Sequence, residues 1–597
     1  MTHTNLSSRV ASLLCITALC TIFSAVSSKA YAQQYGILVN GADYYAATYE
    51  GEDPYGEGFD QYLANVQMHA GDYCQLYDAG TQAAWAVQLN SSSVGTFTLN
   101  SDRYTCSADG CYAFYIKLKY QNDQLYIGQS TDCTTTPQDP TVPVTEDFAS
   151  AVPSQCEDVM LQAFYWDSYQ DKGYGNTKWT TLKNQVDEIA SSFSLVWLPP
   201  SAQSQGGLGY IPNDYSTQSS TALGKKADLQ ALLSAFHNKG VKVLADIVIN
   251  HCGNNSNSCD YKSMNFGEYG WFSPKSTWMT SNDEGVTKYG CSGGANADDG
   301  QHEANYGAAR DWDHKNPEVQ AMCKAYLQWM RNVMLYDGFR YDYSGGYHVS
   351  HVNDYNQASK PYFTVMEYWS GDANELKTRI DEAGKNTLTF DFAAKYNVFR
   401  DGIYLKNYSK CAGQGLRGKG YSKYAVTFID NHDTFNRGSD NEDVANKRDG
   451  SSINDKSLMM RCNAYLLSMP GVPCVFYPHW VKYKSEIQAM IHARHAAGIH
   501  SESTVEESSG GGWYRATVQG KHGSVKLMLG SAASDAAPAG YTQAVKGSDY
   551  AMYYKQTNQA VEQVDAAHPQ VDKFIRDGQL YIRCGEHVYD AQGRMIQ

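Results

Sequence analysis

Eight short apolar runs, separated by amphipathic helical stretches, recur between Asp158 and His500 and constrain the fold of this 597-residue chain more than any other feature. They are VMLQAFYW (159–166), SLVWLPP (194–200), VKVLADIVIN (241–250), GFRYDY (338–343), YFTVMEY (362–368), LTFDF (388–392), AVTFID (425–430) and GVPCVFYP (471–478). Runs this short and this continuously apolar suit strands buried on both faces, as in a parallel sheet covered by helices. Helical patterns such as LKNQVDEIASSF, ADLQALLSAFHNKG and VQAMCKAYLQWMRNVMLYDG lie between them. The alternation predicts an α/β fold, a (β/α)8 TIM barrel over 157–500. A subdomain rich in Gly, Asn, Asp and Cys is inserted after the third strand, at about 252–312.

The flanks have a different grammar. Residues 33–132 alternate apolar and polar over short runs punctuated by Gly, Asn, Asp and Ser, which predicts a β-sandwich. Residues 133–156 hold Pro137, Pro140, Pro143 and Pro153 and read as an extended Thr/Pro tether. From 501 to 597 the pattern returns to strands, giving a C-terminal β domain whose tail reads as a final hairpin, with a weak resemblance to bacterial sorting tails. At the other end, Arg9, an apolar run and Ala30-Tyr31-Ala32 form a signal peptide over 1–32. The expectation is an exported protein, released or held at the cell surface, acting as a monomer. The formal charge of -15 argues against nucleic acid and anionic lipid as partners. No further stretch is long and apolar enough for membrane insertion. Fifteen cysteines, two of them in the leader, leave an odd number for an oxidising compartment. Cys106/Cys111, Cys133/Cys156 and Cys252/Cys259 are close enough in sequence to be bridged.

Barrel enzymes carry their chemistry at the C-terminal ends of the strands. Here the third run ends in Asn250-His251, the fourth in Arg340 and Asp342, the fifth in Glu367 and the seventh in His432-Asp433. One acid after a strand is commonly a cap or turn residue. Three on separate strands facing one mouth, without a Ser or Cys nucleophile motif, point to glycosidic bond cleavage, which needs two carboxyls at least. The 46 tyrosines against 19 phenylalanines suit a sugar ligand, since Tyr offers a flat apolar face with a polar tip.

DIVINH (246–251), GFRYDYSGGY (338–347), MEYW (366–369) and FIDNHD (428–433) together resemble the four ordered signature regions of the α-amylase family, glycoside hydrolase family 13. GYIPNDYS (209–216), GAARDWDHKNPEVQ (307–320) and MPGVPCVFY (469–477) support the resemblance, which covers roughly 158 to 500 and has plant-like features. It implies a retaining endo-hydrolase of α-1,4-glucosidic bonds, acting on starch, glycogen or malto-oligosaccharides through a covalent glycosyl-enzyme. Asp342 matches the nucleophile, Glu367 the general acid/base and Asp433 the third acid. Arg340, His251, His432 and Tyr210 match substrate-side residues, with Tyr210 as the aromatic platform. Retention places the Asp342 and Glu367 carboxyls about 5–5.5 Å apart. The resemblance also implies Ca2+, held by Asn250, Asp311 and the carbonyl of Gly346. Gly345 departs from the pattern, because many members carry Lys there, on the leaving-group side.

An α-glucan transglycosylase or a branch-cleaving hydrolase would use the same acids, and a non-catalytic glycan-capture protein would lack one of them. Trp197, inside a strand, reads as core. Trp166 and Trp369, at strand exits, fit sugar contact or packing equally, and His479 and Trp480 are further cleft candidates. In the N-terminal module, a possible starch-binding unit, candidate platforms are Tyr44, Tyr45, Trp85 and Tyr115.

Overall fold

The computed structural model describes residues 35–41, 43–52, 60–78, 83–87, 89–90, 93–118, 123–131, 147–219, 222–255, 257–302, 306–435, 452–557, 571–576, 579–584 and 587–590. The signal-peptide reading and most of the tether lie outside them.

All eight apolar runs are strands of one closed parallel barrel. They are β1 (Met160–Gln162), β2 (Leu195–Trp197), β3 (Lys242–Ile247), β4 (Gly338–Tyr341), β5 (Phe363–Met366), β6 (Leu388–Phe390), β7 (Ala425–Phe428) and β8 (Val472–Phe476). Each pairs with the next, and β1 closes on β8 through Met160↔Cys474 and Gln162↔Phe476. Almost every strand residue is buried, which is why the runs carry no polar alternation. Helices cover the barrel with apolar stripes. In Pro317–Asn332, for example, Asn316 caps the N-terminus through Glu318 N–H, proline occupies the first turn, and Val319, Met322, Tyr326 and Met330 face inward.

The insertion after β3 is pinned to the barrel by a short antiparallel pair, His251–Cys252 with Arg310–Asp311. A disulfide joins Cys259 to Cys291 within it. The bridges expected from sequence proximity therefore fail where they can be checked. Cys106, Cys156 and Cys252 are free and buried, because they point into packed interiors rather than toward one another. Cys106 Sγ, for instance, donates to the carbonyl of Ala108. Cys111 is disulfide-bonded, and Cys106 is not its partner.

The N-terminal module is two antiparallel sheets around their own core, which includes Ile37, Val66, Leu76, Phe114 and Ile127. Tyr44 and Tyr45 are buried, which removes them as platforms, and the side chain of Trp85 lies outside the described set. The tether ends earlier than expected. Ala151, Val152 and Cys156 are buried, and Ala151 accepts a bond from Thr364 N–H beside β5, so this stretch belongs to the barrel's packing. After the barrel, Thr504–Gln556 form a five-stranded antiparallel sheet. Gln556–Gln597 make a separate compact unit, and its three antiparallel strands (Val571–Arg576, Gln579–Cys584 and His587–Asp590) exceed the expected hairpin.

Candidate active site

Asp342 and Glu367 each stand one residue beyond a strand end, yet both remain in the hydrogen-bond ladder. Asp342 N–H donates to Ile247 O at 2.9 Å and Glu367 N–H to Tyr341 O at 2.9 Å. Their backbones are therefore fixed by the barrel rather than by loops. Together with Asp433 they line one cleft of about 250 Å³, with Trp166, Tyr210, His251, Tyr306, Tyr343, Trp369 and His432 as its other walls. The three acids read from separate strand ends thus converge. Both exit tryptophans face the cleft, whereas His479 and Trp480 are buried away from it in the core.

Arg340 organises the floor. Fully buried, it donates from Nη1 to Asp342 Oδ1 at 2.5 Å and to Asp246 Oδ1 at 2.8 Å. Its Nη2 lies 2.6 Å from Glu367 Oε1, close but out of hydrogen-bond alignment. Sequence reading missed Asp246. It pairs with Arg340 across the β3–β4 register and also accepts from Tyr210 Oη (2.9 Å) and Trp197 Nε1 (3.1 Å). Trp197 is core, as expected, but its indole N–H also serves this carboxylate. The available signal was a carboxylate inside an apolar strand run, which needs a buried partner.

Burial is the largest influence on the Asp342 carboxyl and, with the negative charge of Glu367 and Asp246, pushes it well above the usual range against the pull of Arg340. Asp246 is raised by burial in the same way. Burial opposes the charge on Arg340, but Asp246, Glu367 and Asp342 outweigh it and lock the guanidinium in its charged form. Three carboxylates therefore face one cation, and their mutual repulsion adds to burial in raising Asp342 and Asp246.

The walls are built from rings. His432 stacks on Tyr210 (centroids 5.1 Å apart) and on Trp166 (5.9 Å). Gln162 Nε2 lies 3.0 Å from its Nδ1, and its Nε2 lies 3.2 Å from Asp433 Oδ2. His251 contacts Tyr210 O through Nε2 at 2.9 Å and Asn250 Nδ2 through Nδ1 at 3.3 Å, and it stacks on Tyr306 at 4.2 Å. A carbonyl can only accept, so Nε2 carries the proton; the Asn250 Nδ2 group can only donate, so Nδ1 accepts and the ring is neutral. Burial lowers its pKa to about 4. Tyr306 and Tyr343 were not read from sequence. Tyr343 has φ +49, a left-handed conformation that strains a non-glycine residue, and this aims its N–H at Glu367 Oε2 (3.1 Å).

Beside the cleft lies an oxygen-rich cluster. Asn250 Nδ2 donates to Asp311 Oδ1 at 3.1 Å. A Cβ on Gly346 would fall 2.2 Å from Asn250 Oδ1, so glycine alone fits there. The three residues expected to hold Ca2+ are accordingly adjacent. Asp283 and Glu284, which sequence reading did not nominate, join Asp311 with ligand atoms within 4.8 Å of one another. Asp311 Oδ2 is buried without a hydrogen-bond partner, and burial, with Asp298, Asp283 and Glu284, raises its pKa to about 9. An orphaned carboxylate oxygen among hard oxygen donors fits a calcium ion. The carbonyl of Gly345 is taken by the N–H groups of Gln301 and His302.

A closed parallel barrel with buried acids, one guanidinium and aromatic walls at its C-terminal rim has the layout of a barrel-type glycoside hydrolase. Comparison with known proteins makes this specific. The profile described as "Alpha amylase, catalytic domain" matches residues 190–383. Probable alpha-amylase 2 of Arabidopsis thaliana is 31% identical over 436 residues, covering 67% of this chain and 94% of that protein. The same plant's chloroplastic alpha-amylase 3 is 30% identical over 418 residues, 66% of this chain but only 44% of that longer protein. A crystal structure of a cyclomaltodextrin glucanotransferase with a three-domain ABC distribution shares the fold, with TM-score 0.50 and 15% identity over 67% of this chain and 100% of that one. The chain belongs to the α-amylase family and is an α-amylase-type glycoside hydrolase.

Proposed function

We propose that the protein is an exported, retaining endo-hydrolase of α-1,4-glucosidic bonds in starch-like polymers. One observation carries this reading: a single buried guanidinium bridges Asp342 and Glu367 at the floor of a cleft that Asp433 also lines. In the first step the Asp342 carboxylate attacks the anomeric carbon while Glu367 gives its proton to the glycosidic oxygen, and that C–O bond breaks. In the second, Glu367 takes a proton from water, whose oxygen attacks the same carbon and releases Asp342. Two inversions at one carbon restore its configuration. Arg340, bonded to Asp342 at 2.5 Å, favours the ionised carboxylate that attacks, against the burial that raises it, and Glu367 presents the acid to the leaving oxygen. Asp433 and His432 bind hydroxyls of the sugar as its ring flattens, and Tyr210 and Trp166 offer stacking faces. Asn250, Asp311 and the Gly346 carbonyl, with Asp283 and Glu284 nearby, would hold calcium. The ion's contribution is to clamp the insertion to β3 and β4.

Residues 33–132 act, in this reading, as a glucan-binding module tethered to the barrel. With Tyr44 and Tyr45 in the core, Tyr115 remains as a platform candidate, joined across strands by Tyr126 (centroids 5.6 Å apart) outside that core. Export rests on the leader-like sequence alone, and a monomer is sufficient for this chemistry. Among the described residues no helix is long and apolar enough to cross a membrane.

The test sets the mature protein, with calcium, on soluble starch beside Glu367→Gln. Wild type should lower viscosity quickly while reducing ends rise slowly, and the variant should lose about 10²–10⁴-fold in rate. Products longer than the donor would instead indicate a transglycosylase. Starch binding without hydrolysis by wild type would reject the reading.

A further inference from the structure

Lys395 is a fully buried cation outside the cleft. It follows β6 after the turn Phe392–Ala394 and opens a π-helical stretch, Lys395–Tyr404, a geometry found disproportionately at functional sites. Its Nζ donates to Ile429 O at 2.8 Å and to Asp430 Oδ1 at 3.1 Å. Asp430 is buried as well, with His479 Nε2 lying 3.5 Å from its other oxygen. Because β7 ends at Phe428, Lys395 grips the first two residues of the loop that delivers His432 and Asp433. Asn431 then folds that loop, its Oδ1 accepting from Asp433 N–H (3.0 Å) and Thr434 N–H (2.9 Å). A tether of named bonds therefore runs from the β6 exit to the backbone of Asp433. Packing does not account for it: an ammonium and a carboxylate must both be stripped of water, a cost that an apolar pair filling the same space would not incur.

We propose that Lys395 is a positioning residue for the hydrolytic reaction, holding the β7 loop so that Asp433 meets the sugar in its distorted, transition-state form. This rests on the reading of Asp433 as the third acid. The test is a double-mutant cycle on an activated malto-oligosaccharide. Lys395→Met should lower kcat about 10–100-fold, the scale of an ångström-sized misplacement, with KM within about threefold. In an Asp433→Asn background the same change should leave kcat unaltered, since the group it positions has gone. Lys395→Met/Asp430→Asn, which leaves no unpaired buried charge, should melt near wild type and keep the low kcat. If Lys395→Met does not fold, this neutral pair replaces it in the cycle. An equal loss of kcat with and without Asp433 would reduce Lys395 to a structural role and overturn the proposal, as would recovery of wild-type kcat in the neutral pair. If wild type is active, Asp433→Asn impaired and Lys395→Met unaffected, this inference fails while the hydrolase reading stands; an inactive wild type rejects that reading itself.

Discussion

Around Arg340 three carboxylates close on a cation that the chain itself supplies; around Asp311 a comparable set of acids leaves a buried carboxylate oxygen without a hydrogen-bond partner. The two clusters spring from the same strand ends: Asp246 and Asn250 lie in and just beyond β3, and Arg340 and Gly346 lie in and beyond β4. Arg310 reaches Asp283 and Glu284 in the second cluster, but burial and the acidic neighbours still raise the Asp311 carboxyl to about 9. An internal guanidinium makes a permanent electrostatic floor beneath the carboxylates of the cleft. In the reading proposed above, the unpaired oxygen of Asp311 is where a cation from solution would add its charge. The difference lies in reach: one guanidinium meets all three carboxylates of the first cluster, whereas Arg310 meets Asp283 and Glu284 and leaves Asp311 Oδ2 unpaired.

The sharpest way to break the comparison is to remove the internal cation. Arg340→Met keeps the side-chain volume but leaves Asp246, Asp342 and Glu367 facing one another without a counter-charge. Losing one partner of a buried charge pair costs about 3–5 kcal/mol. Denaturant melts should register that loss, and starch hydrolysis should fall to background. Added calcium should not restore it, because the floor is closed by Trp197 and Tyr210 over the guanidinium. Rescue of stability by calcium would mean that the two clusters are interchangeable.

The second prediction treats the other cluster. Chelation should lower the melting temperature of wild type, by an amount equivalent to about 2.7 kcal/mol when calcium had stood at a hundred times its dissociation constant. Asp311→Asn, which makes the orphaned group permanently neutral, should melt at nearly the same temperature with and without chelator. If it stayed as calcium-dependent as wild type, Asp311 would not belong to the site.

The barrel was legible because strands buried on both faces must be apolar throughout, so β1 to β8 stood out as runs even where only three residues pair. Asp342, Glu367 and Asp433 were legible because a barrel presents strand ends to one mouth, whatever lies between them. Asp283, Glu284, Tyr306 and the Cys259–Cys291 bridge were not, since their positions depend on how the insertion folds back on the barrel. No local period encodes that path. Tyr343 escaped for another reason: its role comes from a left-handed backbone, which a tyrosine gives no sign of adopting. Asp246 should have been found. A carboxylate in the middle of an apolar strand has to be neutralised, and the next strand carries the arginine.

The smallest effect concerns a group that neither cluster charges. His314 is buried behind β3, its Nε2 2.9 Å from Ile249 O and its Nδ1 2.6 Å from Tyr355 Oη. The carbonyl accepts from Nε2–H, and in the neutral ring Nδ1 accepts from the tyrosine hydroxyl. Burial lowers its pKa to about 3. The unfolded ring titrates near 6.5, so between those values the unfolded state binds the extra proton. The stability gained from a neutral His314 is therefore whole above about pH 6.5 and drains away as pH falls toward 3, amounting to about 2 kcal/mol lost at pH 5. His314→Gln can keep a donor and an acceptor but cannot titrate. Unfolding free energies measured at pH 7 and pH 5 should differ by about 2 kcal/mol less in the variant than in wild type, at saturating calcium in both. An unchanged difference would assign the acid sensitivity to other buried rings such as His251, whose pKa burial lowers to about 4, because the raised carboxyls of the two clusters gain stability rather than lose it as pH falls.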